Sequence, residues 1–271
     1  MSVFFQNKHI LITGASSGIG KALTTALLDS GAKVSICARN IERLEGMKMT
    51  LNSSNLFTLQ ADVSSEHDCK NFVEKAIENF GDIDVLINNA GISMRALFTE
   101  LDLDIIRQSM DINFWGTVYC SKYALPSILK NRGSIIGISS IAGYKGLPCR
   151  TGYSSSKFAM QGFLESLRIE LLHEGVNVMW VSPGFVASNI RNVALSANGK
   201  AQAETPLDEA SLMSPEECAA RILNAIQQRK RTLIMTTQGK LTVWLNKFFP
   251  SMMDNIVYKH FANENDSPLK K

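Results

Sequence analysis

The chain has little of what marks secreted, metal-binding or membrane-spanning proteins. Its 271 residues contain only five cysteines, which are odd in number and widely spaced. This spacing predicts reduced thiols rather than a disulfide framework, and no metal site is predicted. No apolar run approaches the roughly 18 residues that cross a bilayer, and the N-terminus has no apolar signal-peptide core. We therefore expect a cytoplasmic protein.

An excess of charge of one sign is also absent. The chain has 28 Lys and Arg against 25 Asp and Glu, for a net charge of +3. The basic residues are scattered apart from the cluster at 229–231, which falls at an expected helix end, where cations suit the helix dipole. This distribution excludes the basic footprint of a nucleic-acid-binding protein. With no internal repeat, low-complexity tract or linker, the length fits one large domain.

Short apolar runs alternate with helical patterns along most of the chain. The runs expected to be strands are 9–12, 33–39, 56–60, 83–87, 133–138, 176–181 and 232–235. The segments expected to be helices are 21–30, 66–80, 103–125, 152–173 and 214–229. This alternation predicts an α/β fold, with a doubly wound parallel sheet of about seven strands and helices on both faces, in a single domain over 5–238.

The first expected strand runs directly into a glycine-rich turn at residues 13–20, and a helix follows at once. Glycines let a backbone approach a pyrophosphate closely, and a helix N-terminus favours its negative charge. The order of strand, turn and helix therefore predicts a phosphate cradle. The glycine spacing, Gly-x-x-x-Gly-x-Gly, differs from the Gly-x-Gly-x-x-Gly of many dinucleotide folds.

The end of the second expected strand bears on cofactor choice. An acidic side chain there would bind an adenosine 2′-hydroxyl, but the chain offers Ala38 and Arg39. An arginine can pair with a 2′-phosphate through its fork of donors. We therefore expect NADP(H) rather than NAD(H), the alternative being that Arg39 only begins the next helix.

Two further strand ends carry polar side chains. Asp62 is placed to accept a hydrogen bond from an adenine amino group, or to cap the next helix, although Ser64 or Ser65 suits that cap better. The sequence Asn-Asn-Ala-Gly at 88–91 is either an ordinary turn or a link between neighbouring strand ends that also lines a cofactor.

A hydroxyl, a phenol and an amine are expected to meet beside the sheet. Tyr153 and Lys157 are four residues apart, which places them on one face of a helix. The strand 133–138 delivers Ser140 at its carboxyl end. A bare Tyr-x-x-x-Lys is usually a surface pair, and only the other motifs favour a functional interpretation. Asn113, midway along an expected helix, is mildly unfavourable there, which indicates a specific role.

The C-terminal third contains segments of less certain use. Residues 189–213 are small and polar without periodicity, which indicates a substrate lid. Residues 239–262 form two amphipathic segments broken at Pro250. Such an extension can lie in a membrane interface or pack on the cleft or a partner subunit, and packing is the commoner use. Residues 263–271 are expected to be a disordered tail.

Taken together, these motifs resemble the short-chain dehydrogenase/reductase family over about residues 5–235. The motifs that carry the resemblance are the glycine turn 13–20, Asn-Asn-Ala-Gly at 88–91, Asn113, Pro-Gly at 183–184, and Ser140 thirteen residues before Tyr-x-x-x-Lys. The resemblance implies a Rossmann fold and hydride exchange between a nicotinamide cofactor and a small-molecule carbonyl or alcohol. It also implies a homodimer or homotetramer, formed through the helices 103–125 and 152–173. The segment beyond residue 238 is similar to C-terminal extensions of some membrane-associated reductases of the family.

The resemblance also implies a role for individual residues. Tyr153 would be the acid/base and Lys157 would lower its pKa, Ser140 would hold the substrate oxygen, and Asn113 would hold a water in a proton relay. The residues expected to bind the cofactor are Gly14, Ser16, Ser17, Gly18, Ile19, Gly20, Arg39, Asp62, Val63, Asn89, Ala90, Gly91, Tyr153, Lys157, Pro183, Gly184, Val186 and Ser188. The substrate itself stays open: the mixed apolar and small residues at 147–149 and in the lid permit a medium-sized apolar carbonyl and exclude little.

Two other functions compete with this interpretation. One is a non-catalytic nucleotide-sensing or scaffold protein on the same fold, because fold alone does not fix function. The presence of all four expected catalytic side chains argues against it. The other is a nucleotide-sugar epimerase or dehydratase, which usually needs a larger C-terminal substrate domain than the residues after the last strand provide.

Overall fold

The structure is a computed structural model of the full chain. It describes residues 3–184, 186, 194–200, 212–264 and 267–270, and every structural statement below concerns these residues.

A single parallel sheet of seven strands forms the centre of the described chain. The strands are β1 (His9–Thr13), β2 (Lys33–Ala38), β3 (Leu56–Gln60), β4 (Val85–Asn88), β5 (Ser134–Ile138), β6 (Asn177–Ser182) and β7 (Thr232–Ile234). Their order across the sheet is β3-β2-β1-β4-β5-β6-β7. The direction of winding reverses between β1 and β4, and in open α/β sheets ligands bind at the carboxyl ends of the strands beside that point.

The connections between strands are mostly helical. The helices are α1 (Gly18–Asp29), α2 (Ile41–Leu51), α3 (Glu66–Phe80), α4 (Leu103–Met110), α5 (Gly116–Lys130), α6 (Thr151–Glu170), α7 (Pro215–Gln227), α8 (Thr237–Phe248) and α9 (Pro250–Ala262). Side-chain caps set several of their starts: Ser65 accepts from the Asp68 N–H, and Ser214 accepts from the Glu217 N–H. Each such cap is worth about 1 kcal/mol.

Helices cover both faces of the sheet, because the strands bury side chains on both sides. In β1, Ile10 and Ile12 point into one apolar cluster, which α1, α2 and α7 complete. Leu11 points into the opposite cluster, which α3, α5 and α6 complete. Burying each such side chain contributes roughly 1.5–3 kcal/mol. The predicted fold class, a single doubly wound domain of Rossmann type, is confirmed.

The helix predicted over 103–125 differs in detail. A π-helical turn at Asp111–Trp115 separates α4 from α5, and α5 continues past Pro126 to Lys130. The wider turn places Asn113 inside it and turns this side chain into the protein interior. π-turns of this kind are frequent at functional sites. Periodicity alone predicted one regular helix, since a single inserted residue barely disturbs the apolar pattern.

The C-terminal extension is helical on both sides of Pro250, as the amphipathic pattern predicted. Thr236 caps α8 by accepting from the Gly239 N–H, and Pro250 occupies the first turn of α9, where its missing N–H costs nothing. Beyond α9, the described residues of the tail fold back in turns, with Ser267 buried. This differs from the expected disordered tail over 263–271.

The five cysteines are all buried and unpaired. Burial raises the pKa of Cys218 to about 12 and leaves it a protonated, unreactive thiol at neutral pH. The helices in the described ranges include none that is long and apolar enough to span a membrane.

Candidate active site

The carboxyl ends of β1 and β4 are tied together by one asparagine and one threonine. The Asn89 Nδ2 donates to the main-chain oxygens of Thr13 and Gly14, at 3.0 and 2.9 Å. In return, the Thr13 Oγ1 accepts the N–H groups of Asn89 and Ala90, each at 3.0 Å. The turn 88–91 is therefore the link between strand ends that the sequence suggested, and it fixes the glycine turn against β4.

Two positions in the glycine turn have no space for a side chain. Gly14 has a φ of +64°, and a Cβ there would lie 2.6 Å from the Ala90 Cα. A Cβ on Gly20 would lie 2.7 Å from the Gly14 oxygen. Both contacts are with backbone, which cannot swing aside as a flexible side chain could. The glycines therefore allow the turn to close on itself and on β4.

The start of α1 carries uncompensated N–H groups. Its N-cap, Ser17, makes no side-chain cap, and the first turn contains no acidic residue. A helix end of this kind, reached through a glycine-rich turn at the switch point of the sheet, fits the pyrophosphate of a dinucleotide. Ser16, Ser17, Gly18 and Ile19 thus lie where the sequence analysis predicted cofactor contacts.

The expected adenosine end of the site is built from β2 and β3. Arg39 follows β2 and has an exposed side chain, while Asn40 rather than Arg39 caps α2 by accepting from the Arg43 N–H at 2.7 Å. Arg39 is therefore not required to begin the helix. Asp62 turns its Oδ1 to the N–H and hydroxyl of Ser64, at 2.9 and 2.8 Å, and neighbouring Val63 is buried.

Asn113 is fully buried, and both hydrogens of its amide are donated to groups of the protein. The Oδ1 accepts the Ile92 N–H at 2.8 Å, while the Nδ2 donates to the Ile92 oxygen at 3.0 Å and the Ser156 Oγ at 2.8 Å. The Ser156 hydroxyl donates in turn to the Tyr153 main-chain oxygen. Asn113 therefore joins the segment after β4 to the helix that carries Tyr153.

Lys157 lies at the centre of the site with its amine buried. The Nζ donates to the Ile138 oxygen at the end of β5, at 2.8 Å. A Cβ built on Gly91 would lie 3.4 Å from this Nζ and 3.0 Å from the Asn113 Oδ1, so the three segments meet there. Burial lowers the pKa of Lys157 to about 7, because desolvation disfavours the ammonium.

Tyr153 lies one helical turn before Lys157 and is half-buried. Its ring centre is 5.8 Å from the Lys157 Nζ. Burial raises the pKa of Tyr153, and this effect outweighs a hydrogen bond with the Ser140 hydroxyl and the charge of Arg150, which both lower it. Ser140 also accepts the Ala142 N–H. The structure thus brings together all four expected catalytic side chains.

Arg150 is the functional candidate that sequence reasoning missed. Sequence analysis expected the nearby cation to be Lys157, but in the structure the positive charge that lowers the pKa of Tyr153 is that of Arg150. Arg150 is the N-cap of α6, three residues before Tyr153, which makes the two side chains neighbours on the helix. That spacing was the available signal. The sequence analysis began the helix at about residue 152 and gave Arg150 no role.

The last of the expected cofactor-binding residues follow β6. Pro183 is buried, and a Cβ on Gly184 would lie 2.4 Å from the Thr236 Cγ2, so the chain passes close to the start of α8. Val186 is buried and pairs with Met213 in an isolated bridge. Ser188 lies outside the described residues, as does most of the expected lid 189–213.

The described part of the lid region is attached to the loop after β4. Leu195 donates its N–H to the Ser93 oxygen and accepts the Arg95 N–H, at 2.9 and 2.8 Å. Ala197 accepts the Asp102 N–H at 3.0 Å. Residues 194–200 thus lie beside the strand end that carries Asn89.

Comparison with known proteins agrees with this geometry. The family model for short chain dehydrogenases matches residues 8–198. A Dictyostelium discoideum protein named dehydrogenase/reductase SDR family protein 7-like is 35% identical in sequence. The match covers 98% of this chain and 84% of that protein's length. The chain belongs to the short-chain dehydrogenase/reductase family. The resemblance found in the sequence is therefore confirmed, and the protein is an oxidoreductase of a family that binds nicotinamide dinucleotides.

Other relatives of this short-chain dehydrogenase/reductase differ in their names and bound cofactors. An Arabidopsis thaliana protein named 11-beta-hydroxysteroid dehydrogenase-like 4A is 34% identical in sequence. The match covers 91% of this chain and 82% of that protein's length. A Burkholderia phymatum family member solved with NAD superposes with a TM-score of 0.82 at 21% identity, covering 92% of this chain and 95% of that one. A Thermococcus sibiricus alcohol dehydrogenase, solved with 5-hydroxy-NADP, superposes with a TM-score of 0.71 at 27% identity, covering 84% of this chain and 94% of that one.

The C-terminal extension packs beside this active site. Asn246 in α8 donates to the Tyr144 oxygen at 3.0 Å, and Asp254 in α9 pairs with the buried amine of Lys145. Just after α9, Glu264 forms a 2.7 Å ion pair with Arg95, in which the side chains are 13% and 8% exposed. The inner face of the extension therefore contacts the segments on either side of the Ser140 and Tyr153 positions.

Proposed function

We propose that the protein reduces a carbonyl compound to a secondary alcohol with NADPH, and runs the reverse oxidation with NADP⁺, with Tyr153 as the acid/base. The observation that carries the proposal is the meeting of Tyr153, Lys157, Ser140 and Asn113 beside a glycine turn that fits a dinucleotide. A nucleotide-sensing scaffold has no use for all four side chains in one place.

Burial suits Tyr153 to the role of proton donor. An ordinary tyrosine has a pKa near 10, and burial raises that of Tyr153 further. The phenol therefore stays protonated at neutral pH and is ready to give its proton to a developing alkoxide. The bound cofactor supplies the hydride for the carbonyl carbon. The Ser140 hydroxyl, close to the phenol, would hold the substrate oxygen as charge develops on it.

Lys157 and Asn113 support the proton transfer. With a pKa of about 7, the Lys157 amine can release or take up a proton at neutral pH, which suits it to resupplying Tyr153. It also lies where the resemblance expects the nicotinamide ribose to be bound. Both Nδ2 hydrogens of Asn113 are used, whereas its Oδ1 accepts only the Ile92 N–H and keeps a second lone pair, to which a relay water would donate.

Turnover with a panel of carbonyl compounds tests the proposal directly. Reduced nicotinamide absorbance should fall when NADPH and a suitable ketone or aldehyde are present. A scaffold protein would bind the cofactor without consuming it, and an epimerase or dehydratase would show no net loss of NADPH.

Cofactor preference should depend on the end of β2. We expect Arg39→Ala to weaken NADPH binding about tenfold or more while changing NADH binding little, because one bidentate phosphate contact is lost. Ala38→Asp should shift preference toward NADH, since a carboxylate repels a 2′-phosphate and accepts from a 2′-hydroxyl. Titration of each variant with NADPH and with NADH, followed by nicotinamide fluorescence, measures the two affinities.

Arg43→Ala is the matched control, because Arg43 lies on the next turn and is held by its backbone N–H rather than its side chain. This variant should keep the parent preference. Equal or better use of NADH by the unmutated protein would contradict the assignment of Arg39.

We also propose that the protein forms a homodimer or homotetramer through α4, α5 and α6. Supporting this, these helices and the residues at their ends expose large apolar side chains in the single chain, at Leu103, Trp115, Phe158, Ile169 and Leu172. Exposed apolar patches are typical of an interface. The buried free thiols support a cytoplasmic location.

We propose that the main role of the extension 239–262 is to pack on the substrate cleft of its own chain, rather than to anchor the protein to a membrane. Truncation after Gly239 should then change the substrate range or raise KM severalfold, because Lys145, Arg95 and Arg150 each lose one contact with the C-terminal segment. Steady-state kinetics with two carbonyls of different size provides the measurement.

Liposome co-sedimentation and gel filtration separate the remaining explanations for the extension. Loss of liposome binding with unchanged kinetics would favour a membrane role, for which the exposed Trp244, Phe248 and Phe249 on the outer face are suited. A changed elution volume with unchanged kinetics would favour contact with a partner subunit.

A further inference from the structure

Arg150 has hydrogen-bond donors that the described part of the chain leaves unused. Its Nη1 donates to the Ser93 Oγ at 3.1 Å and to the Met94 oxygen at 3.2 Å, both in the loop after β4. None of the described residues accepts from its Nε or Nη2, and neither nitrogen is closed off from solvent. The Nε–H and one Nη2–H lie parallel along one edge of the planar guanidinium. Such an edge is the fork that binds a carboxylate or a phosphate through two hydrogen bonds.

The described protein supplies no anion to this open edge. The carboxylate of Glu264 pairs instead with Arg95 at 2.7 Å, and in the described ranges no carboxylate lies within ion-pair distance of the Arg150 guanidinium. The position is also unfavourable for a cation, because Arg150 is the N-cap of α6 and the helix dipole repels positive charge there. A half-buried cation placed in this way indicates a ligand from outside the chain.

The walls of the substrate cleft surround this guanidinium. Arg150 lies three residues before Tyr153, which makes them neighbours at the start of α6. Ser93, whose hydroxyl accepts from Arg150, also accepts the Leu195 N–H with its main-chain oxygen at 2.9 Å. On another side, the guanidinium carbon lies 5.9 Å from the ring centre of buried Phe261 in α9. The helix of Tyr153, the loop after β4, the described lid residues and the C-terminal extension thus meet around Arg150.

The backbone that leads into Arg150 is strained. Cys149 has a φ of +60°, in the left-handed region that a residue with a Cβ rarely adopts. Its main-chain oxygen accepts the Ala96 N–H at 2.9 Å, which ties it to the same loop after β4. Strain of this kind persists where the surrounding structure enforces a geometry, often at binding sites. It fixes the place at which α6 begins, and with it the position of Arg150.

We propose that Arg150 binds an acidic group of the substrate, a carboxylate or a phosphate, through its Nε and Nη2, and that the enzyme selects carbonyl compounds that carry such a group. This inference rests on the proposed function and names the substrate class for it. The anion would lie about one helical turn from Tyr153, so that binding it also orients the carbonyl group toward the phenol. The Phe261 ring shields one side of the ion pair from water, which strengthens the attraction.

A purely structural role for Arg150 makes a different prediction. The Nη1 alone joins α6 to the loop after β4, and loss of that brace would slow all substrates to a similar extent. Loss of an anion site would slow acidic substrates selectively. The ratio of kcat/KM for an acidic carbonyl compound to that for its neutral counterpart separates the two roles, because a general loss of activity cancels from the ratio.

The test measures this ratio in the full-length protein with NADPH and two series of carbonyl compounds of increasing chain length. One series pairs each oxo acid with its methyl ester, and the other pairs each oxoalkyl phosphate with the corresponding alcohol. The parent protein should prefer the acidic member about tenfold or more at the best chain length. The series with the larger ratio identifies the acidic group.

Three substitutions of Arg150 separate its charge from its role as a brace. Arg150→Met should bring the ratio close to unity, mainly by raising KM for the acidic compound. Arg150→Lys keeps the charge without the fork, so it should retain part of the preference. Arg150→Gln removes the charge but keeps an amide that can donate to the loop after β4. It should lose the preference as the Met variant does, and it keeps the test decisive if Arg150→Met does not fold.

Arg107→Met is the matched control, because Arg107 is an exposed arginine on α4 that pairs with Asp104. This variant should keep the parent ratio. Equal use of acidic and neutral compounds by the parent protein at every chain length, or a preference that persists in Arg150→Met or Arg150→Gln, would overturn the inference. If the parent protein reduces neither the acidic nor the neutral compounds, the proposed function fails instead, so the two failures are distinguishable.

Discussion

Tyr153→Phe should lower kcat about 10²- to 10⁴-fold while leaving the affinity for NADPH nearly unchanged. The substitution removes one hydroxyl, the proton donor, and general acid catalysis is typically worth that much. The ring stays, so its packing against Ile106 and Met94 at the entrance to the cleft is kept. Stopped-flow or steady-state turnover, with cofactor binding followed by nicotinamide fluorescence, measures both quantities.

Tyr144→Phe is the matched control for this experiment. Tyr144 also has a partly buried hydroxyl, which accepts from the Trp180 indole at 2.7 Å, but it lies outside the group of four catalytic side chains. Its loss should affect stability more than rate. Substantial residual activity in Tyr153→Phe, at or near the level of the Tyr144→Phe control, would remove Tyr153 from the acid/base role.

Lys157→Met should stabilise the cofactor-free protein while nearly abolishing its activity. Burial lowers the pKa of Lys157 to about 7 in the folded state, against about 10.4 in an unfolded chain. The unfolded chain therefore binds more protons between these values, and the native protein loses up to ~4 kcal/mol of stability at neutral pH relative to an apolar side chain there. Methionine would recover part of this, since the hydrogen bond to Ile138 is lost with the amine.

The pH dependence gives the sign of this effect. The folded-state pKa is depressed, so the stability of the parent protein should rise from pH 7 toward pH 10 as Lys157 becomes neutral in the unfolded chain too. The thermal unfolding midpoint of the variant should therefore exceed that of the parent most near pH 7 or below. The difference between the two midpoints should become smaller at high pH. A gap that widened with rising pH would contradict the assignment of a neutral buried amine.

The same variant should lose cofactor affinity and rate together. One amine is expected to serve both the nicotinamide ribose and the resupply of protons to Tyr153, so kcat/KM should fall about 10²-fold or more. An active, more stable variant would contradict the expected trade-off between stability and function at this position.

Most of the fold could be predicted because its signals are local. The central strands β4, β5 and β6 are fully buried and mostly apolar, as expected for strands covered on both faces. The run at residues 9–12 ends at a glycine turn that a tight strand-to-helix connection requires. The helix starts at Ser65 and Ser214 followed from their cap residues. The four side chains proposed as catalytic could be found because their order and spacing form a recognisable set.

What sequence reasoning missed depends on contacts between distant residues. The π-turn around Asn113 is set by packing against Ile92 and Ser156, and no local pattern encodes it. The surroundings of half-buried Arg150 include Phe261, and the Arg95–Glu264 pair joins residues that are 169 positions apart. Local periodicity therefore gave Arg150 no role and classed the chain after residue 262 as a tail.

The cofactor preference stays a prediction for a related reason. Arg39 is exposed and independent of the start of α2, which is compatible with phosphate binding. An exposed arginine, however, has the same local geometry whether or not a phosphate is its partner. Binding measurements with both cofactors are needed to decide it.

The most direct test of the central claim follows the hydride itself. NADPH carrying deuterium at both positions of the nicotinamide C4 is incubated with the protein and the best carbonyl from the panel, and the alcohol product is analysed by mass spectrometry. The account predicts one deuterium on the carbinol carbon, formed by the parent protein and lost with Tyr153→Phe. An alcohol without deuterium, or equal deuterium transfer by Tyr153→Phe, would contradict a reductase in which Tyr153 protonates the product of hydride transfer.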